Sequence, residues 1–517
     1  MKRVWLFALF AAACGDDGSS QGIAVTPDWS QTLAPVGPNV VGHNAVWSRG
    51  GLGLWDETAA APNAQVISLV ADLQPGVLRF PGGTRAMRYH FDQAIGPVAQ
   101  RTPQCDPFTG MTDATHYGLD EFLRVAEQTH ADVTLVAPWV DGTPQEAAAL
   151  VAYVNADASS TVVIGADANG KDWGTAGSWA MRRAQNGHAA PYSIHYLEIG
   201  NEQYHDLAVG PPNSCGRMSV FRQDERWVGT MRIPTTAADH ATQVALYATL
   251  VHAVDPAIKV GASAYSTYDG HSNAADAIAD LDARMGTGDA WDRRLVQDGG
   301  ALDFFIIHPY DFSTNDFRIT LAEKVRKTIQ DLHALAPAKD VAITEYGFLF
   351  DGGTLLNALV SADMVRVAAE EKVLLALRHI LIEDRTDEPF ADSAAIAGPD
   401  HALSPGYHVM RLLAHNLAPN AVKVTSNDPD VVALATRDDS GATLGILVID
   451  RRTKAGPTRA VEVALPSGSF AGNQTLVTAP QLSATDVSVT ETPTTGSGTL
   501  HVMLPPHSLV VLRLAKI

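Results

Sequence analysis

Two glutamates stand where chemistry could be run. One closes the stretch Tyr196-Leu197-Glu198-Ile199-Gly200-Asn201-Glu202, the other lies in Val341-Ala342-Ile343-Thr344-Glu345-Tyr346-Gly347. Each stretch opens as a short apolar run of strand length, so Glu202 and Glu345 fall at predicted strand ends. A lone Glu in such a place is ordinarily a surface or helix-capping carboxylate. Two that face each other across a cavity suit retaining hydrolysis of a glycosidic bond. One attacks as nucleophile while the other serves as acid and then base, with the carboxyls about 5–5.5 Å apart. Competing chemistries lack their residues: there is no Gly-x-x-x-x-Gly-Lys-Ser/Thr phosphate loop and no His-Glu-x-x-His zinc pair. No spacing demands a metal, and no cofactor is expected.

The elements that must position these carboxyls read as alternating strands and helices. Predicted strands are Val40–Asn44, Val77–Phe80, Asp132–Pro138, Ile194–Ile199, Ile258–Ala264, Asp303–His308, Val341–Glu345 and Leu377–Glu383. Helical spacing lies between them. Thr143 can cap a helix that starts with Pro144, and Glu146 would complete a capping box. Asp120 to Gln128 and Ser361 to Leu377 also read as helix, the latter running into the eighth strand without a clear break. This is the pattern of an α/β (β/α)₈ TIM barrel, whose active site lies at the C-terminal strand ends. After Leu413 only strands remain: Val431–Thr436, Leu444–Asp450, Ala460–Ala464, Gln474–Val477 and Leu509–Leu514. Asp438-Asp439-Ser440-Gly441 reads as a hairpin turn and Thr494-Thr495-Gly496-Ser497-Gly498 as a loop, giving a C-terminal β-sandwich. The expected organisation is 1–22 signal and tether, 23–36 a strand joining the sandwich, 37–413 the barrel and 414–517 the sandwich.

Composition agrees with a folded, multi-unit chain. At 517 residues it exceeds one compact domain. Hydrophobic residues at 46% and charged residues at 18% argue against extensive disorder. A net charge of −20 disfavours a nucleic-acid partner and suits a neutral substrate such as a carbohydrate, or merely solubility. Lys2 and Arg3 precede an apolar run, Val4 to Ala13, that is too short to span a bilayer. Ala11-Ala12-Ala13-Cys14 then resembles a bacterial lipobox, with Ala11 where Leu is usual. The expectation is lipidation at Cys14 and a bacterial surface or periplasmic location, with plain secretion as the alternative. Any membrane contact would run through that anchor alone. Export into an oxidising compartment leaves Cys105 and Cys215 as a candidate disulfide or as two free thiols.

Several stretches, in order, resemble the α-L-arabinofuranosidases of glycoside hydrolase family 51, in clan A. They are Leu78-Arg79-Phe80-Pro81-Gly82-Gly83, Tyr117-Gly118-Leu119-Asp120-Glu121-Phe122, Gly142-Thr143-Pro144-Gln145-Glu146-Ala147, Arg183-Ala184-Gln185-Asn186-Gly187-His188, Glu198-Ile199-Gly200-Asn201-Glu202 and Asp255-Pro256-Ala257-Ile258-Lys259-Val260-Gly261. The resemblance implies that Glu202 is the acid/base and Glu345 the nucleophile. It implies that Asn201 bonds the sugar 2-hydroxyl and that Arg79 keeps Glu345 ionised. Tyr310 would donate a hydrogen bond to Glu345, and His308 would line the same floor unless it is a packed core histidine. Trp139 would stack on a sugar unless it is ordinary core. The charge of Glu345 is expected to raise the Glu202 pKa and so keep it protonated.

Two sugar-binding positions depart from the family. Its first strand usually brings a Glu to the furanose, whereas this chain has Gly42-His43-Asn44-Ala45-Val46-Trp47, with Asn44 or Trp47 as the replacement. Its Asn after Pro-Gly-Gly is Thr84 here. Trp55, Tyr89, His90 and Phe91 are candidates for a changed pocket. The alternatives to an arabinofuranosidase are therefore a pyranose-specific glycosidase of the same clan (xylosidase, glucuronidase or endo-glycanase) and a non-catalytic carbohydrate-binding lipoprotein.

Overall fold

The structure, a computed structural model, describes residues 22–107, 109–205, 208–209, 221–265, 291–311, 315–348, 351–383 and 393–517. Cys14, with the rest of the expected signal and tether up to residue 21, and Cys215 lie outside the described residues. Eight parallel strands form a closed barrel: β2 (Gly42–Asn44), β3 (Val77–Phe80), β4 (Asp132–Ala137), β5 (Tyr196–Ile199), β6 (Lys259–Ser263), β7 (Phe304–Ile307), β8 (Asp340–Phe348) and β9 (Ala376–Arg378). They pair in sequence order, and β9 returns to β2 with Leu377 opposite Gly42 and Arg378 opposite His43. Ahead of the barrel, β1 (Ile23–Pro35) joins the C-terminal sheet. Inside the barrel, Val77, Phe304, Ile306, Ala342, Leu375 and Leu377 pack as an apolar layer. Asn44, Arg79, Thr134, Glu198 and Thr344 are also buried in the barrel, but they are polar and bonded to one another.

The expected helices form, with one change of role. Thr143 caps Pro144–Asn155 by accepting from the Glu146 N–H at 3.2 Å. The capping box is left incomplete, because the Glu146 carboxylate turns to the ring of His90 at 2.9 Å. The last barrel helix is Leu355–Glu370 rather than Ser361 to Leu377, and β9 is three residues long. The break comes at Lys372, a non-glycine residue with φ of +59°. Ile382–Glu383 is a separate short strand, paired with Ile396–Ala397.

The C-terminal unit is a single seven-stranded sheet that rolls onto itself. Its strands are β10 (Asn420–Ser426), β11 (Val431–Arg437), β12 (Thr443–Asp450), β13 (Arg459–Thr478), β14 (Ser488–Leu504) and β15 (Ser508–Lys516), in the order β1-β10-β11-β12-β15-β13-β14. β13 carries an irregularity between Ala464 and Ser469, where Gly468 takes φ of +117°. The first part of β13 pairs with β1 and the second with β15, which closes the sheet around Val25, Val422, Ile446, Val463, Phe470 and Leu512. Two expectations are corrected here. The stretches at 460–464 and 474–477 belong to one long strand, and Thr494–Gly498 lies inside β14, paired with Gly472 to Ser469. The hairpin at Asp438–Gly441 joins β11 to β12 as expected, closed by the Asp438 N–H to the Thr443 carbonyl at 3.0 Å. Leu355–Glu370 is buried along nearly its whole length, and it contacts barrel strands on one side and sheet strands on the other. That explains a helix without a polar face.

Candidate active site

Arg79 organises the site. It is fully buried on β3, and its guanidinium meets four acceptors from three other strand regions. Nε donates to Glu198 Oε2 at 2.8 Å, and Nη1 to Asn44 Oδ1 at 3.0 Å and Glu345 Oε1 at 2.5 Å. Nη2 donates to Asn201 Oδ1 at 3.0 Å. Glu198 is further bonded by the hydroxyls of Thr134 (3.0 Å) and Thr344 (3.1 Å). A buried carboxylate is tolerable only when paired and hydrogen-bonded in this way. The other oxygen of Glu345 accepts from the Tyr310 hydroxyl at 2.7 Å. Burial pushes the Glu345 carboxyl up, but the charges of His308 and then Arg79 outweigh it and hold the group at about 2. It is therefore ionised at neutral pH, as a nucleophile must be.

Glu202 follows the end of β5 with φ of +50°, a left-handed conformation that is uncommon for a residue bearing Cβ. Its N–H donates to Ser263 Oγ at 3.2 Å on the neighbouring strand. Its carboxylate Oε1 lies 2.8 Å from His308 Nδ1, and His308 Nε2 lies 2.9 Å from Thr344 Oγ1. Thr344 spends its only hydroxyl hydrogen on Glu198, so it accepts from His308 Nε2–H. His308 Nδ1 is then left facing Glu202, and the pair shares one proton along that bond. Burial opposes a charged Glu202, yet the His308 hydrogen bond and charge carry its pKa down, while His308 is held above its ordinary value. This corrects the expectation that Glu345 dominates Glu202. The repulsion from Glu345 is present, but the imidazole hydrogen bond and charge outweigh it, which draws the shared proton toward His308.

One oxygen of Glu202, one nitrogen of His308 and one oxygen of Glu345 lie within 4.8 Å of one another. Among the described residues this is the one group with the spacing of a metal site. The arrangement does not favour a cation: both Glu345 oxygens are already bonded, and Arg79 and a protonated His308 supply two positive charges. What the geometry offers is an ionised carboxylate facing a second carboxylate that has a proton within one hydrogen bond.

Other expected contacts are placed differently. Asn44 is locked between Arg79 and the Thr344 carbonyl, to which its Nδ2 donates at 2.8 Å. Trp47 is core, with its indole N–H on the Arg85 carbonyl. Trp139 is 2% exposed, packed against Tyr247 and His240, and bonded to Thr235; it is not open to stack on a sugar. Thr84 begins the short 3₁₀ turn Thr84–Arg88 and bonds neither glutamate. Trp55, Tyr89 and Phe91 are buried, and His90 is held by Asp141 and Glu146. Cys105 is disulfide-bonded, and Cys215 lies outside the described residues.

Sequence reasoning passed over Glu198, Thr134, Thr344, Gly83 and His379. Glu198 had a signal: a charged residue in an apolar strand, four before Glu202, needs a buried cation, and Arg79 stands on such a strand too. Gly83 had none. A Cβ there would come within 2.3 Å of Glu345 Oε1 and 3.4 Å of Asn201 Oδ1, so the bare backbone is what leaves the Glu345 carboxylate room. His379 Nδ1 lies 3.8 Å from Glu345 Oε2, and burial holds this ring at about 4, hence neutral near pH 7.

Residues 69–223 match the family model described as the α-L-arabinofuranosidase 1 domain. Over 137 residues the chain is 30% identical to a probable α-L-arabinofuranosidase C of Aspergillus fumigatus, covering 26% of this chain and 24% of that one. Over 159 residues it is 29% identical to an intracellular exo-α-L-arabinofuranosidase of Bacteroides ovatus, covering 29% and 28%. These matches thus span only about a quarter of the curated relatives' length. In three dimensions it superposes on an α-L-arabinofuranosidase from Thermotoga maritima in an arabinose complex with TM-score 0.73 and 20% identity, covering 96% of this chain and 100% of that one. A likeness at that identity is one of fold. Sequence over β3 to β5, and fold along nearly the whole length, therefore agree that the chain resembles the family 51 α-L-arabinofuranosidases.

Proposed function

We propose that the protein is a retaining glycoside hydrolase that releases α-L-arabinofuranosyl residues from a plant-type oligo- or polysaccharide. The observation that carries this is the close approach of Glu202, just past β5, and Glu345, within β8, one held ionised and the other bonded to a proton-bearing imidazole. Glu345 attacks the anomeric carbon while Glu202, taking its proton along the His308 bond, protonates the departing oxygen. The glycosidic bond breaks and a glycosyl ester forms on Glu345. Glu202, now a base, removes a proton from water; the water oxygen bonds to the anomeric carbon and frees Glu345. Substrate excludes water from the pair and weakens the ion pair's advantage, which favours the neutral acid on Glu202.

Similarity to arabinofuranosidases supports the furanose. One observation favours a second reading, a pyranose substrate: Asn44, at the position of the missing first-strand Glu, is committed to Arg79 and Thr344 and offers no free Nδ2–H pair to a sugar. Export with a lipid on Cys14 belongs to the same proposal, resting on Ala11-Ala12-Ala13-Cys14, and intact mass of the membrane-extracted protein tests it.

The testing experiment is hydrolysis of 4-nitrophenyl α-L-arabinofuranoside, β-D-xyloside, β-D-glucuronide and β-D-galactoside, with Glu345→Ala as the blank. Release from the arabinofuranoside alone is expected. Release from a pyranoside alone transfers the assignment to the second reading. No Glu345-dependent release from any glycan refutes catalysis and leaves carbohydrate binding.

A further inference from the structure

Behind the nucleophile's strand lies a cation without a counter-charge. Arg378 on β9 is 0% exposed. Its neighbour Leu377 belongs to the barrel interior, so by strand alternation Arg378 projects outward, between the barrel wall and the helical layer. Its strand partners are Tyr346 on β8 and His43 on β2. No carboxylate pairs with it among the described residues. Its one hydrogen bond is a long one, Nη2 to the Gly352 carbonyl at 3.4 Å, and Nε and Nη1 have no partner. His43, equally buried, has no partner on either ring nitrogen.

The third wall is also positive. The guanidinium packs on Gly406, in the first turn of the helix Pro405–Asn416, where an added Cβ would lie 2.7 Å from Nη2. The amino end of a twelve-residue helix carries positive potential. The guanidinium thus meets the helix end, with His43 beside it on the adjacent strand and no carboxylate against it among the described residues, although a buried charge is ordinarily paired. Burial and the Arg378 charge together press His43 down to about 3, so the imidazole is neutral and presents one N–H donor.

We infer that Arg378, His43 and the amino end of Pro405–Asn416 hold a small monovalent anion of the halide class, chloride in practice. It would sit beside the guanidinium, accepting from an Nε or Nη1 hydrogen that has no other partner, as a structural counter-ion. Chloride suits the donors because it takes several N–H groups from any direction and needs no hydrogen of its own to donate. A water molecule would satisfy some of the donors but would leave the charge uncompensated.

The test uses the whole protein and bromide as a heavy probe. Crystals grown in sodium bromide should show anomalous scattering within hydrogen-bonding distance of Arg378 Nε or Nη1. Melting in sodium chloride or bromide should exceed melting in sodium gluconate at equal ionic strength by about 2–4 °C, and the increment should saturate with halide concentration. Arg378→Met should abolish that increment. No bromide at Arg378 overturns the inference whether or not the variant folds, and so does a halide increment that persists undiminished in Arg378→Met.

Discussion

Replacing Arg79 by Met tests the site's electrostatics most directly. The substitution keeps much of the side-chain volume and removes the cation that faces Glu198 and Glu345. Glu345 is held at about 2 against an ordinary 4.5. At about 1.4 kcal/mol per pKa unit, that depression represents roughly 3 kcal/mol of native-state stabilisation. His308 supplies the larger part and Arg79 the next, so Arg79→Met forfeits a share of it through Glu345. The same change strands Glu198 as a buried carboxylate with only two hydroxyl partners. Breaking a buried ion pair costs about 3–5 kcal/mol. The expected loss at pH 7 is therefore about 3–5 kcal/mol, read as a fall in the urea midpoint. The sign with pH follows from the depressed pKa. Stability from Glu345 is complete above about pH 4.5 and is lost as pH falls toward about 2. The gap between wild type and variant should accordingly narrow from pH 7 to pH 3. In parallel, the acid limb of kcat/KM should move to higher pH, because Glu345 no longer ionises as readily. A gap equal at pH 3 and pH 7, with an unmoved acid limb, would refute the role given to Arg79.

Two further perturbations probe the remaining contacts, and one separates the two carboxyls. Gly83→Ala places a methyl 2.3 Å from Glu345 Oε1, an oxygen pinned by Arg79, so the carboxylate must shift by close to 1 Å. A loss of kcat of about 100-fold with an unchanged melting temperature is expected, and near-wild-type turnover would show that the backbone simply gives way. His308→Asn removes the group toward which the acid's proton is drawn. Since the His308 pKa is raised, the alkaline limb of kcat/KM should lie above the ordinary histidine range in the wild type and drop to lower pH in the variant; a limb that stays put places the proton elsewhere. Glu202→Ala should retain most turnover on dinitrophenyl glycosides and little on alkyl glycosides, whereas Glu345→Ala should lose both and regain product with azide; equal losses for the two variants on every leaving group would collapse the assignment.

Much of the architecture was legible before any coordinates. Seven of the eight barrel strands form within a few residues of their predicted bounds, because buried parallel strands appear as short apolar runs punctuated by polar ends. The eighth was blurred, since the helix before it ends at Glu370 and Lys372 without Gly or Pro, and tertiary packing alone imposes the left-handed turn. β14 was misread for the opposite reason: Thr494–Gly498 carries turn-type residues on an exposed hairpin, and its pairing with β13 is what makes it a strand.

At the site, the sequence by itself singled out the two glutamates near strand ends, and its resemblance to family 51 pointed to Arg79 and Tyr310. The signal for the glutamates is local: a carboxyl in or just after a short apolar run stands out as a charged residue where a strand should be apolar. Only the tertiary structure decided which groups touch. Arg79 collects acceptors from β2, β5 and β8, brought together when the barrel closes, and nothing in their spacing along the chain announces that meeting. The same closure turned Asn44 and Trp139 from sugar contacts into support and core, and put His308 against Glu202. The protonation state of the acid depends on that last distance. The interaction between the two groups falls as the inverse of their separation in a medium whose polarity the fold sets, and a sequence carries neither quantity.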